Sequence, residues 1–403
     1  MVEGDIVPLL FGVVSVAVGI GFLGGRIFRK TGIPDIVPIM LLGFLVGPVF
    51  GLIHRDSILS VAQFFGAIAL LIILFNAGLN LDFYTVLKQA PRAALLAILS
   101  FGVGVILVSL VAIYGLNLPP MQGILLGSIV GGSSSIIVIP YVEQMKVGEK
   151  VRTLLSLEST ITDIFCVIST LTIISLLEMG SGGTLAVPQL VSARFSVGIV
   201  IGLVLGLLWL WTFPKISKDP YHYMLTLFIA FLTYAVSEFL GGSGPLSALL
   251  FGLVLGNGRP MSQIFRFEKR IAVSNDIIRF NSEMSFLVRS VFFVYIGIIS
   301  TIAGLESALA GIVISLLLLV TRYFSSPIIT RNSDLSSEKN IISVMYPRGL
   351  ATAVLASLPL ATGIAGTENF IDIAFVVILA TVSITVFGTI IIRHRERNKL
   401  RNI

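Results

Sequence analysis

Leu155-Ser-Leu-Glu-Ser-Thr-Ile-Thr-Asp-Ile-Phe-Cys-Val167 sets two carboxylates, Glu158 and Asp163, in a run that is otherwise apolar enough to lie in a bilayer. A carboxylate at bilayer depth costs roughly 3 kcal/mol or more, so each acid needs a reason to be there. Five residues apart on a helix, the two point about 140° away from each other. They are therefore expected to do different jobs.

The surrounding composition makes the membrane reading general. The 403 residues are 56% hydrophobic and 12% charged, about half the charged fraction of a soluble domain. The reading is an all-α polytopic membrane protein. The lone cysteine, Cys166, excludes an intrachain disulfide and reads as a small buried hydrophobe. The start, Met1-Val-Glu-Gly-Asp5, is acidic where a cleavable signal peptide would be basic. The net charge of +6 comes from residues between apolar runs and at the end of the chain, so it sets topology and predicts no nucleic-acid partner.

Windows of about 20 apolar residues give thirteen spans, at roughly 5–28, 33–52, 58–80, 91–115, 120–142, 151–177, 188–212, 221–240, 244–257, 283–303, 305–330, 340–363 and 369–392. The ninth is short and Gly-rich. Connections alternate in charge: Arg26, Arg29 and Lys30 in the first, only Arg55 in the second, Lys88 and Arg92 in the third, none in the fourth. Lys146, Lys150 and Arg152 follow in the fifth, Lys215 and Lys218 in the seventh, five basic residues including Lys269 and Arg270 in the ninth, and Arg331 and Lys339 in the eleventh. The even connections stay poor in Lys and Arg. By the positive-inside rule the N-terminus lies outside, the odd connections and the C-terminus are cytoplasmic, and the protein sits in the cell membrane. The basic tail, 393–403, is too short to fold and is expected to lie against anionic headgroups. Residues 1–403 thus read as a single transmembrane domain.

Spans two and nine resemble each other: Ile39-Met-Leu-Leu-Gly-Phe-Leu-Val-Gly-Pro48 and Ser247-Ala-Leu-Leu-Phe-Gly-Leu-Val-Leu-Gly-Asn257. They are seven spans apart and so run in opposite directions, the pattern of two inverted six-helix repeats. Repeat one covers about 5–177, a linking helix about 188–212, and repeat two about 221–392. In such folds the site lies where paired helices break. The fifth span carries Gly131-Gly-Ser-Ser-Ser135 and Pro140; its counterpart, the twelfth, carries Pro347-Arg-Gly349 and Pro359. Discontinuous helices are expected at both.

Few other ionisable residues lie deep: Arg322, Arg348 and, nearer an end, Arg289. Glu158 is expected to pair with Arg322 or Arg348, because a second unpaired acid would cost too much. Arg348 is also placed to offset helix-end dipoles where the twelfth span breaks. Arg289 either snorkels or meets a cytoplasmic-side acid. Asp163 follows Thr162 and lies near Ser159, and an oxygen shell of that kind suits a hard cation. Such an acid holds a proton or a monovalent cation, not readily both. Asp82, Glu143, Glu238 and Glu283 read as interfacial, and the three scattered histidines make no metal site.

Glu158-Ser159…Thr162-Asp163 resembles the Glu-Ser-x-x-Asn-Asp motif of the cation/proton antiporter superfamily, in its sodium/proton exchanger and NhaP-like branch. Glu283-Met-Ser-Phe-Leu-Val-Arg-Ser-Val-Phe-Phe-Val-Tyr-Ile-Gly297 is similar to that branch's tenth-span signature, Thr321-Arg322 to its eleventh-span arginine, and Pro347-Arg348-Gly349 to its Arg-Gly motif. The resemblance implies crossed discontinuous helices, a homodimer with a dimerisation half and a six-helix core half, and an elevator movement of that core. It implies that Asp163 carries the ion and proton while Glu158 pairs with an arginine. The chain departs from the branch at Ser133-Ser134, where Thr-Asp is usual, at Asn76, where the third span often has glutamate, and at Thr162. Asp163 is left as the one obvious titrating ligand, with Ser133, Ser134, Ser159, Thr162 and Asn76 as neutral ones.

The expectation is a secondary antiporter exchanging one proton for one Na+ or K+, electroneutrally, with no cofactor and with a separate regulatory subunit left open as a partner. A passive cation channel and a sodium-coupled organic-anion symporter are the alternatives. An enzyme is not expected, since there is no His-Glu-x-x-His run and a serine with a lone aspartate is too weak a constellation for proteolysis.

Overall fold

The computed structural model describes residues 6–31, 34–54, 58, 62–81, 83–145, 147–179, 187–216, 219–267, 271, 274–301, 305–331 and 334–401. The acidic start Met1–Asp5, Arg55, Asp82, Lys146, Lys218, Lys269 and Arg270 lie outside the described residues.

Every regular element among the described residues is helical. In chain order they are α1 (Ile6–Thr31), α2 (Ile36–Phe44), α3 (Ala62–Asn80), α4 (Phe83–Gly115), α5 (Pro120–Val130), α6 (Ser135–Met145), α7 (Glu149–Met179) and α8 (Val187–Ile216). Then come α9 (His222–Phe239), α10 (Gly244–Gly256), α11 (Gly258–Ile264), α12 (Asn275–Ile299), α13 (Leu305–Thr330), α14 (Lys339–Val344), α15 (Leu350–Ala361) and α16 (Phe370–Arg401). Without water to take up amide and carbonyl groups, an apolar chain satisfies its backbone within helices. Proline marks starts, as at Pro120, where the missing N–H costs nothing. Gly241, at φ 72°, lets α9 turn out of its last coil and returns its N–H to the Glu238 carbonyl.

Eight helical stretches among the described residues are long and apolar enough to cross a membrane: 91–115, 120–139, 149–178, 192–216, 222–239, 275–299, 305–330 and 370–392. Five shorter apolar helices stand at Pro8–Gly24, Ile36–Val49, Phe64–Asn80, Gly244–Gly256 and Leu350–Ala361. Two helix interruptions fall at the glycine- and proline-containing stretches. The helix stops at Val130 and restarts at Ser135, and it stops again at Val344 and restarts at Leu350.

The chain forms two compact units, each drawing on both stretches expected to be repeats. The first comprises Met1–Gln63, Gln89–Ile174 and Ser290–Ile403. In it α16 packs against both α13 and α15, and α15 also meets α5. Helix α2 crosses the end of α12 at backbone distance: a Cβ on Gly43 would overlap the Val294 carbonyl, and one on Gly297 the Met40 carbonyl. Gly47 is held likewise against Ile298.

The second unit comprises Phe64–Lys88 and Ser175–Arg289. Helices α8, α9 and α10 pack around an apolar cluster that includes Phe75, Trp209, Phe213 and Phe251. Here α3 crosses α10 by the same contact. Gly252 lies on the Phe75 carbonyl, Gly78 on Leu249 and Gly256 on Leu79. The two crossings keep one register: Met40, Gly43 and Gly47 correspond to Leu249, Gly252 and Gly256, and Val294, Gly297 and Ile298 to Phe75, Gly78 and Leu79.

Candidate functional site

The site lies in the first unit, where the two breaks meet. The Ser134 amide donates to the Pro347 carbonyl at 2.8 Å. Both segments leave backbone groups without helical partners, and each such group must find another donor or acceptor. Arg348 supplies donors for the end of α5: Nε reaches the Val130 carbonyl at 2.6 Å and Nη2 the Gly131 carbonyl at 3.0 Å. Its Nη1 donates to the Tyr346 carbonyl at 2.7 Å. The carbonyl end of a helix carries partial negative charge, so a guanidinium is well matched to it. The sequence placed this role at the twelfth-span break; the guanidinium serves the Tyr346 carbonyl there and, in addition, the carbonyl end of the fifth-span half-helix.

Glu158 is buried and fully engaged. Arg322 takes it in a two-pronged pair, Nη1 to Oε1 at 2.9 Å and Nη2 to Oε2 at 3.0 Å. The remaining prong of the guanidinium donates to the Ile342 carbonyl at 3.0 Å. Ser133 Oγ lies 3.1 and 3.0 Å from the two carboxylate oxygens, and Ser100 Oγ 3.3 Å from Oε1. Of the two arginines the sequence left open, Arg322 is the one on Glu158. A cavity of about 10 Å³ beside the pair, lined in part by Ser100, Ser133, Thr321 and Tyr346, has room for about one water. Asp163 does not line it.

Asp163 is half-buried one and a half turns further along α7. Its Oδ2 accepts the Ser135 hydroxyl at 2.6 Å and the Ser135 amide at 3.2 Å. Among the described residues no basic side chain is bonded to it, and Oδ1 accepts no hydrogen bond. The two acids of the opening stretch thus differ as their angular separation requires: one is saturated by a cation and hydroxyls, the other is held on one oxygen.

The neutral residues expected around Asp163 make other hydrogen bonds. Ser133 is on Glu158, and its amide donates to Thr162 Oγ1 at 3.1 Å. Thr162 Oγ1 returns a bond to the Ser159 carbonyl at 3.1 Å. Ser159 Oγ donates to the Ser156 carbonyl at 3.1 Å, within its own helix. Ser134 contributes its backbone to the meeting of the breaks, and its buried side chain faces Gly349. Asn76 belongs to the second unit, where Asn80 Nδ2 donates to its Oδ1 at 3.3 Å. Arg289 also belongs to that unit and lies 5.7 Å over the Phe286 ring, while Glu283 pairs with Arg279 at 3.0 Å. Cys166 is buried as expected, and its sulfur accepts the Gly132 amide at 3.0 Å.

Two residues escaped the sequence reading. Ser135 stands inside the quoted glycine–serine run, and its signal is positional: a serine is favoured where a helix restarts. Ser100 shows only as a hydroxyl in the middle of an apolar span.

Long apolar helices, two of them interrupted around buried charge, define a polytopic membrane protein. The chain belongs to the sodium/hydrogen exchanger family of transmembrane proteins, whose family model matches residues 14–392. It is 27% identical over 397 residues to the K(+)/H(+) antiporter NhaP2 of Shewanella sp. (strain MR-4), covering 94% of this chain and 65% of that protein. It is 25% identical over 363 residues to Na(+)/H(+) antiporter 1 of Methanocaldococcus jannaschii, covering 86% of this chain and 82% of that one. The chain spans about two thirds of the length of the NhaP2 relatives. Its fold matches the solved structure of the sodium proton antiporter MjNhaP1 from Methanocaldococcus jannaschii at pH 8, with TM-score 0.77 and 24% identity over 94% of this chain and 99% of that one.

Proposed function

We propose that this chain is a secondary antiporter that exchanges protons for a monovalent cation, Na+ or K+, with Asp163 as the shared carrier. The observation that carries the reading is the contrast between the acids. Glu158 has every oxygen occupied and an arginine beside it, so it has no room for a cation. Asp163 has one oxygen held by Ser135 and no cationic partner among the described residues. An ionisable group inside a membrane that is not spent on a scaffold pair is placed to bind what is transported. The names of the relatives, K(+)/H(+) and Na(+)/H(+) antiporters, agree with this chemistry.

One carboxylate exchanging one proton for one monovalent ion moves no net charge, so exchange is electroneutral. The eight long and five shorter apolar helices among the described residues support a reading of thirteen spans in two inverted repeats. The glycine crossing that recurs in one register supports that symmetry. Arg322 on Glu158, and Arg348 on the Val130, Gly131 and Tyr346 carbonyls, tie the broken helices into a body that moves as a whole, in an elevator step within a homodimer. The N-terminus lies outside the cell membrane and the C-terminus inside.

The test is dye quenching in proteoliposomes with a preset pH gradient. Adding Na+, Li+ and K+ in turn collapses the gradient for at least one ion, clamping the voltage does not accelerate it, and Asp163→Asn abolishes it. If no cation does so in the wild type, antiport is refuted; conduction that persists in Asp163→Asn would indicate a channel.

A further inference from the structure

We infer that Ser135 is a binding residue of this exchange site, its hydroxyl serving in turn as hydrogen-bond donor to the bare carboxylate, ligand to the bound cation and acceptor from the protonated acid. The inference rests on the antiport reading. Ser135 makes both hydrogen bonds that Asp163 accepts among the described residues, and both fall on Oδ2. Three of the other hydroxyls put forward for the site are committed: Ser133 to Glu158, Thr162 and Ser159 to backbone carbonyls.

The two donors of Ser135 are not equivalent. The amide opens α6, is fixed in direction and only donates, so it favours the ionised acid. The hydroxyl, 2.6 Å from Oδ2, carries one hydrogen and two lone pairs and reorients by a single bond rotation. With the carboxylate bare, the hydrogen points to Oδ2. When a cation seats against Asp163, the hydrogen turns away and a lone pair faces the ion, adding a neutral oxygen of the kind hard cations take. When Asp163 is protonated, the acid becomes the donor and the serine oxygen accepts. One residue thereby serves all three states without moving the helix. A residue at this point also sets selectivity, because it is the oxygen beside the charge.

The experiment compares wild type with Ser135→Ala, Ser135→Thr and Ser135→Cys in proteoliposome exchange of Na+, K+ and Tl+ across a pH series. Ser135→Ala is expected to raise the cation KM about tenfold, the factor that about 1.4 kcal/mol represents. It also moves the pH profile to higher pH, because the ionised acid has lost a donor. Ser135→Thr restores both, and Ser135→Cys shifts preference toward Tl+, since sulfur favours the softer ion. Wild-type exchange together with an unchanged KM and pH profile in Ser135→Ala overturns the inference and leaves antiport standing. A fall in maximal rate alone, with KM and profile intact, assigns Ser135 to helix capping and overturns it equally. Absence of exchange in the wild type for every cation overturns antiport itself.

Discussion

Replacing Arg322 by Met removes the basic group that pairs with a fully buried acid. Glu158 would keep Ser133 and Ser100 as donors but lose two charged contacts at 2.9 and 3.0 Å. The Ile342 carbonyl would lose its 3.0 Å donor as well. Breaking a buried pair from one side costs about 3–5 kcal/mol, because it strands the other charge. At roughly 2 °C per kcal/mol, the lower end for sizeable domains, that is a fall in Tm of about 6–10 °C. The double variant Glu158→Gln with Arg322→Met removes both charges and is expected to recover most of the loss, since a neutral amide is far cheaper to bury. The assay is thermal unfolding of purified protein in detergent, closed as a double-mutant cycle. If the single variant melts within about a degree of wild type, or the double variant is no better than the single, the ion pair does not hold this region together.

Arg348→Lys is expected to destabilise despite keeping the charge. Three different carbonyls take three separate nitrogens, a fork that a lysine cannot present. Leaving one carbonyl without its donor costs about 1–3 kcal/mol, read as a lower Tm; a wild-type Tm would refute it. Gly252→Ala places a methyl on the Phe75 carbonyl and is expected to lose about 1–3 kcal/mol. Gly102→Ala, where no neighbour lies within 4 Å of the added carbon, is expected to be neutral or slightly stabilising in the same thermal assay. If protons and cations compete at Asp163, lowering the pH raises the apparent KM for the cation without changing the maximal rate. A pH-independent KM would speak against a shared acid.

Much of this could be read from the chain because helices are periodic. The five-residue spacing of Glu158 and Asp163 separates them on α7, and the structure gives them different partners. The positions of the apolar helices follow the hydrophobic windows closely, including the short ninth. What could not be read was the pairing inside the breaks. Between Val130 and Ser135 the backbone is not helical, so spacing carries no direction. The family resemblance therefore favoured Ser133 and Ser134, where Thr-Asp is usual, over Ser135. The choice between Arg322 and Arg348 was likewise invisible, since both lie in the second half of the chain and only tertiary contact separates them. The similarity of spans two and nine did point at Gly43, Gly47, Gly252 and Gly256. Their counterparts are Gly78, two residues after Asn76, and Gly297, which closes the tenth-span stretch, and only packing reveals that they answer the first four.

The most direct measurement is proton release on cation binding. Purified protein in weakly buffered detergent is titrated with Na+ and with K+ while pH is followed. A carboxyl group that holds one load at a time is expected to give up about one proton per cation bound from an initially protonated site, and Asp163→Asn to give up none. Cation binding with no proton released in the wild type, or undiminished release in Asp163→Asn, would contradict it.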